Sequence, residues 1–437
     1  MMRWNLVLTS FASLVLAGVL PAAHAAQAAN SQRRKPLLTH GICGSVGNPD
    51  GTPVPDRLNP SSVLDQYPVQ RLMLDLAEKP RDKAYLQVAL SETGVGIQDL
   101  ETIGLIRPQG AEYVIAFALF TKSDLVQIRR VVESRAASLA AAYVERRPEI
   151  ERLLAQYPAN GVDRKATAYI LLGCFSLDWD GLDLTAEKGY RKEDIVRPGI
   201  GTFSVWAEER GDHSLKGIYW GSHNEYGETY VLTSFGDHFS LPRYAFPDLI
   251  WRMSHGLSSV GVPGDLENSL DPVVGDALGV LAARIARTLM ALRDGPRSPA
   301  DLAQVAGTDE KTMKHLLALL AGLQYVRPEG DRYAASIPLL TKTDEPMLRG
   351  LLALSREVMA AWLAANYQPL RKALEGITPL RYGVPYEQVF TQLWHYIFGI
   401  TNRQLAEAGL FADPYAAARR FKGFIPAIWS PSLSAHH

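Results

Sequence analysis

The chain has 437 residues, 47% of them hydrophobic and 21% charged, with a net charge of −1. That length allows two or three domains with proper cores. Near-neutral charge excludes a global attraction to nucleic acid or to an anionic membrane surface.

The chain opens with Met1-Met2-Arg3-Trp4, an apolar stretch from Leu6 to Leu20, and Pro21-Ala22-Ala23-His24-Ala25-Ala26. A basic start, a short apolar core and a small-residue site form the pattern of a secretory signal peptide, residues 1–25. The apolar run falls short of the ~20 residues that span a bilayer, and no second run approaches that length. The expected location is therefore periplasmic or secreted, with no membrane span after cleavage. In such a compartment Cys43 and Cys174 form one disulfide or stay as two buried thiols, and both readings stand.

Residues 26–62 are dense in Gly and Pro and are expected to be an extended arm. Residues 63–177 are expected to form a first unit. It holds a hairpin around Arg107-Pro108-Gln109-Gly110, a long amphipathic helix from Ser123 or Asp124 to near Pro148, and helices near 149–157 and 163–176. Residues 178–265 read as a β-rich aromatic insert, a meander of Thr202–Glu208, Lys216–Trp220 and Glu228–Phe235. Residues 266–437 are expected to form a second unit. It has a helix over Ala277–Leu292, a short helix capped by Ser298, a third helix over Asp309–Leu323, and a hairpin around Pro328-Glu329-Gly330. A long helix then starts at Asp344 or Glu345 and is expected to stop at Pro369, and another covers 386–399.

The second unit repeats the first. Ile106-Arg107-Pro108-Gln109-Gly110 returns as Val326-Arg327-Pro328-Glu329-Gly330, and Leu119-Phe120-Thr121-Lys122-Ser123-Asp124 returns as Leu339-Leu340-Thr341-Lys342-Thr343-Asp344. Both pairs, and Tyr113 with Tyr333, are displaced by 220 residues. The expected fold class is mainly α with small β elements (α+β), built by internal duplication. The two long helices are expected to pack on each other or across a homodimer.

Residues 277–342 resemble a winged helix-turn-helix domain through Pro299-Ala300-Asp301-Leu302-Ala303, Leu316-x-x-Leu319-Leu320 and Tyr325-Val326-Arg327-Pro328-x-Gly330-x-x-Tyr333. The pattern is also similar to the N-terminal dimerisation region of small-molecule methyltransferases. The resemblance implies a third helix and a wing that meet DNA. From Ala300 to Arg332, however, Asp301, Asp309, Glu310, Glu329 and Asp331 outweigh Lys311, Lys314, Arg327 and Arg332. Phosphate contacts supply most non-specific DNA affinity, so this charge argues against nucleic acid as the partner. No Gly-rich strand-turn-helix follows, so a nucleotide domain is not expected.

Three functional readings follow. The first is a non-catalytic exported binding protein, holding a small molecule or a protein partner near the insert. Its candidate ligand-binding residues are Trp206, Trp220, Tyr226 and Arg243, since pockets pair aromatic walls with a few polar groups. The bland alternative is that these aromatics are a strand core. The second is a metal-dependent hydrolase using His223, Asp237 and His238 to hold a divalent metal such as zinc; turn capping by the Asp residues is its alternative. The third is a DNA-binding regulator. No nucleophile elbow, P-loop or dinucleotide fingerprint occurs. The isolated protein is expected to start at Ala26. N-terminal sequencing checks this, and a start at Met1 would favour the regulator.

Overall fold

The computed structural model describes residues 35–47, 54–158, 161–192, 195–211, 217–237, 244–254 and 264–433. The expected signal peptide lies outside them. Small sheets sit among long helices, an α+β arrangement.

Strand β1 (Leu38–Val46) opens the described chain and is followed by helices α1 (Pro60–Leu64) and α2 (Tyr67–Glu78). Among the described residues of the expected extended arm, 38–46 are extended as a paired strand and 60–62 begin α1. Its glycines fit the strand: Gly41 lies opposite Trp206, and a Cβ there would stand 2.6 Å from the indole. Strand β2 (Arg81–Asp82) leads to helices α3 (Lys83–Leu90) and α4 (Ile97–Thr102), then to the hairpin of β3 (Ile106–Gln109) and β4 (Glu112–Ile115). Strand β5 (Ala118–Phe120) precedes the long helix α5 (Lys122–Glu145), after which come α6 (Arg147–Leu154) and α7 (Arg164–Ala168).

A run buried from Tyr169 to Asp178, Tyr169–Asp180, winds as a π-helix between α7 and helix α8 (Gly181–Glu187). Strands β6 (Val196–Arg197), β7 (Gly201–Glu209), β8 (Ser222–Tyr226) and β9 (Val231–Gly236) follow. They do not form the expected meander. β7 pairs with β1 and β5, whereas β8 and β9 join a different sheet, so residues 178–265 are not a layer of their own. The segment before Trp220 is not a strand; the pairing falls one step later, on Ser222–Tyr226.

Helices α9 (Phe246–Ser254), α10 (Gly264–Ala291), α11 (Pro299–Ala306) and α12 (Glu310–Gly322) lead into the hairpin of β10 (Val326–Glu329) and β11 (Arg332–Ala335). Strand β12 (Leu339–Leu340), helix α13 (Glu345–Leu374), helix α14 (Thr378–Arg381), helix α15 (Tyr386–Glu407) and strand β13 (Phe424–Trp429) complete the chain. α13 runs through Pro369 rather than stopping there. Burial of Leu370 and Leu374 beyond the proline outweighs one lost backbone hydrogen bond. α15 likewise passes its expected end, because Asn402 and Leu405 are buried.

The two hairpins have the same register. Pro108 faces Tyr113 and Pro328 faces Tyr333, with Gly110 and Gly330 at φ 66° and 65° in the turns. β5 lies parallel to β7 and β12 parallel to β13; β7 and β13 each pair antiparallel on the other side, with β1 and β9. α5 and α13 pack on each other: Trp362 Nε1 donates to Ser138 Oγ at 2.8 Å, and Tyr143 hydrogen-bonds Ser355. β7 divides the core. Phe203, Val205 and Ala207 face one apolar cluster with Leu38 and Val63, while Trp206 faces the larger cluster built on α5, α13 and α15.

α5 starts with a capping box, and the 3-10 turn Lys342–Asp344 that leads into α13 starts with its counterpart. The Thr121 amide donates to Asp124 Oδ2 at 2.8 Å, and that of Thr341 donates to Asp344 Oδ2 at 2.7 Å. Thr121, not Ser123, is the N-cap. The second oxygen of each acid reaches outward: Asp124 Oδ1 accepts the Thr378 amide at 2.9 Å, and Asp344 Oδ1 pairs with Arg293 at 2.7 Å. Both carboxylates are buried, so replacement leaves their donors unsatisfied. Asp124→Ala is expected to cost about 1–3 kcal/mol in urea unfolding. Ser123→Ala is expected to lie within about 0.5 kcal/mol of the parent.

Candidate functional site

The π-helical run is the least ordinary element of the chain. π turns are rare and gather at functional sites. Here the run Tyr169-Ile170-Leu171-Leu172-Gly173-Cys174-Phe175-Ser176-Leu177 is buried on every side, so no polar stripe sets a 3.6-residue period. Gly173 lets the Phe235 ring and Asn402 approach, 3.3 and 3.1 Å from where a Cβ would be. Gly181, just after the run, lies against the Trp394 indole, whose Nε1 donates to the Leu177 carbonyl at 3.0 Å.

The end of the run borders a groove of about 500 Å³ between α8, α13 and Leu433. Phe175 and Trp179 make its aromatic end, 5.0 Å between centroids, and both pack edge to face on the buried Trp429 behind them, at 5.0 and 5.6 Å. Arg356, from α13, crosses the groove to Asp180 at 2.5 Å and pairs also with Glu187 of α8. Burial raises the Asp180 carboxyl above the usual carboxylate range, and Arg356 pulls it back. Its Oδ2 is buried with no hydrogen bond among the described residues. Asp183 and Arg349 complete the polar rim.

The inner side of the run carries Cys174 and Asp178. Burial pushes the Asp178 carboxyl up to about 8 and the Cys174 thiol well above its ordinary value, where the Asp178 charge adds to the effect. Cys43, on β1, is held up to about 11 by burial, with Arg191 opposing and Asp178 reinforcing. Both cysteines are free thiols, so the disulfide considered from the sequence is not formed in this structure. Nor is either an activated nucleophile, since both stay protonated at neutral pH.

Nearby, β7 presents Glu208 to α15. Gln392 Nε2 donates to Glu208 Oε1 at 3.1 Å, and the Tyr396 hydroxyl donates to the same oxygen. Burial raises Glu208 to about 7 against the pull of these two bonds. His395 Nδ1 meets the Thr391 carbonyl at 2.8 Å, which makes Nδ1 the protonated nitrogen; burial lowers the ring to about 4. Two carboxyls that hold protons near neutral pH can give and accept them.

The sequence-predicted residues divide. Trp206 and Trp220 are brought together, 5.8 Å between centroids, and Trp220 packs on His395 at 4.8 Å. Both indoles are buried and serve the core. Tyr226 is 61% exposed at the end of β8, away from that packing. Arg243 and His238 lie outside the described residues. His223 Nδ1 pairs with Asp248 Oδ1 at 2.6 Å, whereas Asp237 Oδ2 accepts from the Tyr415 hydroxyl at 2.6 Å and the Gly217 amide at 3.0 Å. These two groups have different partners, and among the described residues no group of three or more His, Cys, Asp or Glu is arranged to hold a metal ion. Sequence reasoning missed Asp178, Asp180, Glu208, Arg356 and His395. The available signal was acids at the edge of an apolar run, in Leu177-Asp178-Trp179-Asp180.

Comparison with family models, curated proteins and solved structures finds no match to this chain.

Glu208 gives a pH test. Its folded value, about 7, exceeds the ordinary 4.5 of an unfolded glutamate, so the folded state binds the proton more tightly between those limits. Stability is then fully present below the unfolded value and falls as pH rises towards the folded one, by ~1.4 kcal/mol for every pH unit separating the two. Glu208→Gln keeps the acceptor for Tyr396 and is expected to flatten the slope of unfolding free energy from about pH 4.5 to 7.

Proposed function

We propose that this chain is an exported, non-catalytic binding protein whose small ligand lies in the groove beside the π-helical run. The observation that carries this is the groove itself. Its volume of about 500 Å³ is that of a small-molecule site, and an aromatic wall faces converging charged groups. The Arg356 guanidinium, held by Asp180 and Glu187, and Arg349 beside it offer a ligand donors opposite Trp179. Export is supported by the sequence pattern of residues 1–25. Among the described residues no helix is long and apolar enough to cross a membrane.

The two halves are read as copies of one winged-helix-like unit. The common hairpin register and the parallel placing of β5 and β12 support that reading. In a duplicated scaffold a ligand site between halves is natural, and this groove has walls from both. A second reading, acid–base catalysis of the hydrolase type, draws on Asp178 and Glu208 rather than on the histidines of the insert.

Native mass spectrometry of the protein from its own host tests the first reading. A bound organic mass is expected, lost in Trp179→Ala and in Arg356→Ala while the circular dichroism spectrum stays unchanged. A ligand retained at full occupancy in both variants would place binding elsewhere.

A further inference from the structure

Helix α10 has two apolar faces, and the fold uses one. Leu278, Ala282, Ile285 and Leu289 are buried in the main core. On another face Leu266, Val273 and Val280 are 50%, 64% and 58% exposed. They stand seven residues apart, so they line one stripe of a helix with 3.6 residues per turn. Leu270 and Ala277 fill the intermediate positions, four residues after Leu266 and Val273, half-buried and exposed respectively. That is the a–d spacing of helices that pair side by side. Isolated surface valines are ordinary, whereas an ordered stripe over several turns marks a contact.

The charges along α10 say which contact. Residues 264–276 include Asp265, Glu267, Asp271 and Asp276 and no base; residues 277–291 include Arg284 and Arg287 and no acid. A parallel partner of the same sequence would set acid against acid. An antiparallel one sets each acidic half against a basic half, and a two-fold axis near Ala277, which puts position 267 opposite position 287, makes the arrangement self-complementary. A Cβ at Gly275 would meet nothing within 4 Å, so that point of the helix is open to an approaching partner. We propose that the outer stripe of α10 docks a second copy of this chain, helix to helix and antiparallel. The contact is independent of the groove, which has no wall from α10.

The test uses the full chain in analytical ultracentrifugation. The parent protein is expected to sediment at about twice the chain mass. Val273→Glu and Val280→Glu each place a charge in the stripe. Each is expected to raise the dimer dissociation constant at least tenfold, roughly 1.4 kcal/mol, with the circular dichroism spectrum unchanged. Glu267→Arg and Arg287→Glu are each expected to weaken self-association, and an equimolar mixture of the two variants is expected to restore the dimer. A parent that stays monomeric at every concentration overturns the proposal. So does a dimer indifferent to both valine substitutions, since it must use another surface. A mixture that fails to restore the dimer overturns the antiparallel arrangement.

Discussion

A strand buried on both faces has to find partners for two faces and two edges at once, and β7 is that strand. Six of its nine residues are buried and the other three half-buried, with Phe203, Val205 and Ala207 turned to the first unit and Trp206 and Glu208 to α15. β1 covers one edge and β5 the other. Moving the register by one residue would exchange the two sets and drive Glu208 into the apolar cluster beneath α2. The placement of Glu208 under Tyr396, of Trp206 against Trp220, and of β1 itself all depend on this one register.

The same economy of surface explains the π-helical run. A helix enclosed by α13, α15 and the β9–β13 sheet gains nothing from keeping a fixed polar side. Widening its turns lets Phe175 and Trp179 stack on Trp429 while Leu177 offers its carbonyl to Trp394. The widening also delivers acids to two destinations. Asp178 enters a dry interior and keeps its proton, whereas Asp180 reaches the groove and meets Arg356. Two acids two residues apart thereby have different chemistry, which neither composition nor spacing encodes.

Local patterns in the sequence were the legible part. The hairpins around Gly110 and Gly330 and the amphipathic helices α5 and α12 rest on neighbours within a few residues, so periodicity reveals them. The extended arm was legible but its pairing as β1 was not, because Trp206, the residue that lies over Gly41, is far along the chain. The three aromatic strands looked like one meander because their separate partners, β1 and β13, are distant in sequence. Pro369 looked like a stop because packing of Leu370 and Leu374 cannot be read from the residue itself. The site suffered most. Trp206 and Trp220 do lie side by side, yet the groups with displaced proton affinities owe that property to burial, which only tertiary structure supplies.

The pairing of β1 with β7 joins residue 38 to residue 209, and that of β9 with β13 joins residue 231 to residue 429. Closing a loop of that length has to precede any reward from the strands it brings together. A ribosome making this chain therefore releases β1 long before its partner exists, and releases β9 almost two hundred residues before β13. During synthesis two strand edges stand open in turn, each a template for another chain. The fold thus makes assembly a late event in the life of the polypeptide. A chain threaded across a membrane before folding would meet that schedule without having to undo any sheet.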